Sequence, residues 1–227
     1  MAERCASNDV TAIIFDMDGV LIDSEPVHQV ATDHVARRYG LPPVTPEVFA
    51  HYFYGRTDYS GYLDYLAAVG RTDLSLPMLI DANAAEYARR FAREVRPFRD
   101  ALDALHACAV HGYRLAIVSG GRNSEVAAVV ERFALGRLLD VTVGGDDVPI
   151  GKPDPAPYLL GAQRLGLLPQ KCLVIEDAPA GVASAVAAGM RCLAVDRSGQ
   201  PELLAQARRI VTSVSFEAIE ELAAGDR

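Results

Sequence analysis

Apolar residues along this chain follow two alternating patterns: short unbroken runs, and longer stretches in which they recur every three or four positions. Ile13-Ile14-Phe15, Leu115-Ala116-Ile117-Val118, Val141-Thr142-Val143, Cys172-Leu173-Val174-Ile175 and Cys192-Leu193-Ala194-Val195 are the runs. Runs of this length, apolar on both faces, predict strands covered on both sides. Helical spacing fills the intervals from the second run onward, over 100–111 before Gly112, 123–133, 155–165, and 179–188 before Gly189. Strands and helices alternating in this order predict an α/β fold, a Rossmann-like parallel sheet with helices on both faces.

Between the first two runs the pattern changes. Val27, Val30, Ala31, His34, Val35 and Tyr39 recur at helical spacing as far as Gly40, and Leu41-Pro42-Pro43 and Thr45-Pro46 break the spacing. Further helices are predicted from Thr57 or Asp58 to Val69, stopped by Gly70, and from about Pro77 to Val95. No strand pattern is evident there. Residues 25–96 therefore read as a small all-helical domain inserted after the first strand, with 1–24 and 97–227 forming the sheet domain.

A net charge of −8 and a pI near 5.1 argue against the broad basic surface that nucleic acid requires, while leaving room for a small anion held by a few local cations. No apolar run reaches membrane-spanning length, and residues 1–9 carry Glu3, Arg4 and Asp9 without a signal-type apolar core, so a cytoplasmic protein is expected. Cys5, Cys108, Cys172 and Cys192 lack metal-type spacing and read as structural or incidental.

Parallel sheets place ligands at the carboxyl ends of their strands. That rule gathers Asp16, Asp18, Ser119, Glu176, Asp177 and Asp196 on one edge. Clustered acids demand positive charge. Two sources are available: Lys152 in Gly151-Lys152-Pro153-Asp154-Pro155, and a hard divalent metal such as Mg²⁺ bound by Asp16, Asp177 and Glu176. Alone, Lys152 reads as a solvated loop lysine and Ser119-Gly120-Gly121 as an ordinary turn. Beside the acids, Ser119 and the Gly120 and Gly121 amides can bind phosphate oxygens, and the set suits attack by a carboxylate on a phosphate monoester.

Asp16-Met17-Asp18-Gly19-Val20, Ser119, Lys152 in Gly-Lys-Pro-Asp-Pro, and Glu176-Asp177-Ala178-Pro179-Ala180-Gly181 resemble, in order, the four signature motifs of the haloacid dehalogenase superfamily. The insertion at 25–96 is similar to that superfamily's C1-type cap. The resemblance implies a Mg²⁺-dependent phosphatase in which Asp16 forms an aspartyl-phosphate and Asp18 is general acid and base. It further implies metal ligation by Asp16, the Asp18 carbonyl and Asp177, with Glu176 as a ligand or just outside, and phosphate binding by Ser119, Gly120 and Lys152. An aspartate two residues after the nucleophile points away from dehalogenation.

The stretch from Asp16 to His28 is similar to phosphatases of sugar and polyol phosphates and also to β-phosphoglucomutase, so a small phosphorylated metabolite is the expected partner. His28, Gly55, Arg56, Arg122 and Asn123 are candidate substrate selectors. A phosphosugar mutase is the first alternative, and Arg122-Asn123 stands where mutase-like members carry lysine and asparagine. A phospho-Asp signalling receiver is a remote alternative, because receivers place the phosphorylated Asp after their third strand. No Gly-x-Gly-x-x-Gly follows the first strand, which argues against a dinucleotide enzyme. Arg96-Pro97-Phe98-Arg99-Asp100 departs from a second proline and glycine common in relatives. Neither nucleic acid nor membrane is an expected partner, and a monomer or weak homo-oligomer is anticipated.

Overall fold

The computed structural model describes residues 10–54 and 56–225. Strand β1 (Ala12–Phe15) leads through the two-residue strand β2 (Ile22–Asp23) into four helices, α1 (Glu25–Arg38), α2 (Pro46–Tyr52), α3 (Asp58–Ala68) and α4 (Leu76–Glu94). Strand β3 (Arg96–Pro97) follows, and it pairs with β2 as a two-stranded ribbon. The remainder alternates: α5 (Arg99–Val110), β4 (Arg114–Val118), α6 (Asn123–Arg132), β5 (Val141–Val143), α7 (Ala156–Leu165), β6 (Cys172–Glu176), α8 (Pro179–Ala187), β7 (Arg191–Val195), β8 (Arg209–Val211) and α9 (Phe216–Ala224). By its internal contacts the chain forms two compact units, Met1–Ile22 with Pro97–Arg227, and Asp23–Arg96.

The first unit is built on a six-stranded sheet in the order β5-β4-β1-β6-β7-β8, each neighbouring pair parallel. Every residue of β1 and β6 is buried, which explains why both are unbroken apolar runs. Phe15 stands in register with Ile117 on one side and Ile175 on the other. Asp16 and Glu176, one residue beyond this level, and Ser119, two beyond Ile117, are thereby brought to one end of three adjacent strands. One core layer packs Ile14, Val118, Tyr158, Val174, Val182 and Cys192 together.

The second unit has its own core, in which Val35, Phe49, Phe53, Tyr62, Tyr65 and Leu79 are buried. Phe53 meets Tyr62 edge to face at 5.1 Å. Among the described residues no helix is long and apolar enough to cross a membrane.

Three departures from the sequence expectation have local causes. Thr45-Pro46 starts a helix instead of only ending one: the Thr45 hydroxyl accepts the Val48 N–H at 3.4 Å and Pro46 takes the first helical position, where its missing N–H costs nothing. The half-exposed strand β8 and the helix α9 add to the expected elements: three edge residues carry too short a pattern to announce β8, whereas α9 does follow a Ser215 cap with Phe216, Ile219 and Ala223 at helical spacing. Asp196 does end β7, but its Oδ1 accepts the amides of Ser198, Gly199 and Gln200, so it closes a turn.

Candidate active site

Asp16 follows β1 directly, and its N–H continues the ladder to the Ile175 carbonyl at 2.9 Å. The chain then reverses. Met17 O accepts the amides of Leu21 and Ile22, and Gly19 N–H donates to Ile22 O at 2.8 Å. Gly19 has a φ of 77°, and a Cβ on it would lie 1.8 Å from Asp177 Oδ2. Only glycine meets both demands. The turn thus seats Asp18 beside the first acid and lets the Asp177 carboxylate approach the backbone.

Lys152 occupies the centre. Its Nζ donates to Asp16 Oδ1 at 2.6 Å, to Glu176 Oε1 at 2.7 Å and to Val118 O at 3.3 Å, and it lies 4.8 Å from the centre of the Tyr158 ring. Glu176 is 1% exposed and uses both oxygens: Oε1 accepts from Lys152 and from the Tyr158 hydroxyl at 2.7 Å, while Oε2 accepts the amides of Asp177 and Ala178. Four donors on one carboxylate make Glu176 an anchor for Lys152.

On the other side of β1, Ser119 N–H bonds Val143 O, and its Oγ donates to Asp18 Oδ2 at 3.3 Å while accepting Gly121 N–H at 2.9 Å. Gly145 N–H braces this loop through Gly121 O at 2.7 Å, and a Cβ on Gly145 would stand 2.5 Å from Gly120 O.

Burial is the largest influence on Asp16 and pushes its pKa up to about 8, with Lys152 pulling down and Glu176 and Asp18 pushing up. Burial also opposes the Lys152 charge, but the facing carboxylates, Asp16 first and Glu176 second, outweigh it and raise the lysine above its ordinary value. Burial, then Glu176, drives the Tyr158 hydroxyl well above the phenol range, so it donates as a neutral group.

Asp16, Glu176 and Asp177 each offer a carboxylate oxygen, and these atoms lie within 4.8 Å of one another. Such hard, anionic donors fit a divalent cation of the Mg²⁺ type.

The candidate substrate residues are placed differently. Arg122 precedes α6, its N–H bonded to Glu125 Oε2 at 2.9 Å. Asn123 turns to the Gly144–Asp147 segment: its N–H donates to Asp146 Oδ2 at 2.9 Å and its Nδ2 to Asp147 Oδ1 at 3.3 Å. In the helical unit the His28 ring stacks on Tyr87 at 4.0 Å, and Arg56 Nη2 pairs with Asp64 at 2.6 Å. Gly55 lies outside the described residues.

Sequence reading missed Tyr158 and the task of Gly181. Tyr158 was readable only as an apolar helix position; the mild signal was a hydroxyl on a core face. Gly181, in the first turn of α8, leaves the space that Glu176 fills, since a Cβ there would sit 1.6 Å from Glu176 Oε1. Gly181→Ala should lower stability by about 1–3 kcal/mol through overpacking, measured by urea denaturation. A midpoint equal to wild type would refute this seat for Glu176.

The profile of haloacid dehalogenase-like hydrolases matches residues 13–195. Hexitol phosphatase A of Escherichia coli (strain K12) is 34% identical over 219 residues, covering 94% of this chain and 95% of that protein. A phosphorylated carbohydrates phosphatase of Thermotoga maritima is 34% identical over 179 residues, with 79% and 82% covered. The crystal structure of a candidate β-phosphoglucomutase from Thermotoga maritima superposes with a TM-score of 0.73 at 32% identity, over 94% of this chain and 98% of that one. With the profile spanning β1 to β7 and the acids, the serine and the lysine gathered at the strand ends, the chain belongs to the haloacid dehalogenase-like hydrolase family.

Proposed function

We propose that the protein is a Mg²⁺-dependent phosphatase of small phosphorylated metabolites, sugar or polyol phosphates, acting through an aspartyl-phosphate on Asp16. Phosphoric monoester hydrolysis is its reaction class. The observation that carries the reading is Lys152 Nζ held between Asp16 and Glu176 at 2.6 and 2.7 Å, at the strand end where Ser119 Oγ reaches Asp18.

In the first step an Asp16 oxygen bonds to phosphorus as the ester P–O bond breaks, and Asp18 gives its proton to the departing alkoxide. In the second, Asp18 takes a proton from water, the water oxygen bonds to phosphorus, and the Asp16–phosphorus bond breaks to free inorganic phosphate. Lys152, Ser119 Oγ and the amides of the Gly120-Gly121 loop offset charge on the transferring oxygens. Asp16, the Asp18 carbonyl and Asp177 would hold Mg²⁺, which when bound adds positive charge where two anions must meet. Glu176 keeps Lys152 in line and stands just outside that ligand set.

The two phosphatase relatives support sugar and polyol phosphates as the substrate class, and the candidate β-phosphoglucomutase favours the mutase as a second reading. Phosphate release from a panel of hexose and hexitol phosphates should stop in EDTA and return with Mg²⁺. Release that continues in EDTA would sink the metal assignment. Isomerisation of β-glucose 1-phosphate, primed by glucose 1,6-bisphosphate and far faster than phosphate release, would decide for the mutase.

A further inference from the structure

The turn after Asp18 satisfies most of its backbone groups locally, but the Gly19 carbonyl accepts from Arg197 Nε at 3.3 Å, far along the chain. Arg197 follows β7 by two residues. Its Nη1 and Nη2 form a fork on Asp100, at 2.9 and 3.0 Å, and its guanidinium carbon lies 4.0 Å from the centre of the Phe98 ring. Asp100 also accepts Ser213 Oγ at 3.0 Å and Val214 N–H at 2.9 Å, and Phe98 N–H donates to Leu21 O at 2.9 Å. One guanidinium therefore ties together the turn beside Asp18, the segment 98–100 and the loop before α9. The partners are 20% and 22% exposed, so the fork is shielded in a way that surface pairs are not.

We propose that Arg197, oriented by Asp100, is a positioning residue that fixes Asp18 for proton transfer by anchoring the Gly19 carbonyl. Gly19 is the most freely rotating residue of the turn, so a released carbonyl lets the turn and the adjoining Asp18 drift. A misplacement of the order of an ångström is costly for a group that must meet one oxygen. The proposal rests on Asp18 being the acid assigned above.

Leaving groups provide the test. A sugar alkoxide needs a proton as it departs, whereas p-nitrophenolate leaves with little help, so loss of a positioned acid slows aspartyl-phosphate formation from the first substrate and spares it from the second. The ratio kcat/KM reports that step, whereas the later attack of water, which also uses Asp18, is common to both. Lysine keeps the charge facing Asp100 but offers neither the fork nor the Nε. In Arg197→Lys, kcat/KM on sorbitol 6-phosphate should fall about tenfold or more, while kcat/KM on p-nitrophenyl phosphate changes less than about twofold. Asp100→Asn should show the same split, and both variants should melt near wild type. Equal losses of kcat/KM on the two substrates, or no loss on either, overturn the positioning role. A wild-type enzyme inactive on both substrates would instead overturn the phosphatase reading, so the two failures are distinguishable. If Arg197→Ala fails to fold, the lysine variant alone decides.

Discussion

Asp16→Asn should cut phosphate release by about a thousandfold or more and yet melt no lower than wild type. The amide cannot form the acyl-phosphate, while its oxygen still accepts the Lys152 ammonium that Asp16 receives at 2.6 Å. Stability should move the other way from activity. A buried carboxylate beside Glu176 and Asp18 is disfavoured in the metal-free protein, and its pKa is raised to about 8. Such a group costs nothing in acid; the cost enters as pH rises above its unfolded value of about 4 and is complete above about 8. The melting temperature of the variant in EDTA should therefore gain on wild type between pH 5 and pH 8.5. Retained turnover would remove Asp16 from the chemistry; a lower melting temperature at high pH would show that its charge is favoured in place.

Much of this site was legible because parallel strands buried on both faces are unbroken apolar runs, so any acid, serine or lysine just past a run announces itself. Asp16, Ser119, Glu176 and Asp177 were found this way, and the register of Phe15 with Ile117 and Ile175 places their strand ends side by side. What stayed hidden depends on partners distant in sequence. Tyr158 looks like core until its hydroxyl is seen on Glu176, and Arg197 looks like a turn residue until its fork is seen on Asp100. Asn123 and Asp196 turn to local partners that the sequence does not announce: short polar side chains near glycine turns bond to nearby backbone and neighbouring loops, here the 144–147 segment and Ser198-Gly199-Gln200. Sequence placed Glu176 among the metal ligands or beside them, and its four occupied hydrogen bonds favour the second.

Lys152→Met should be strongly destabilising, and its cost should depend on what replaces the lost charge. The ammonium is shared by two carboxylates whose side chains are 9% and 1% exposed, its own being 12% exposed, so solvent screens little of the interaction. Removing one member of such a buried set leaves uncompensated charge and costs about 3–5 kcal/mol. For a chain of this size that corresponds to a fall in melting temperature of roughly 6–20 °C. Protons can substitute for the lysine by neutralising Asp16 or Glu176, so the fall should be smaller at pH 5 than at pH 8. Mg²⁺ can substitute in part as well, because Asp16 belongs to the proposed divalent site, and millimolar Mg²⁺ should recover part of the loss. Activity should not recover with it: a cation among the acids does not replace a donor aimed at the transferring oxygens, and kcat should remain down by about a hundredfold or more. A variant that melts within about 2 °C of wild type in EDTA at pH 8 would mean that Asp16 and Glu176 do not depend on Lys152, and the shared cation at the centre of the site would have to be abandoned.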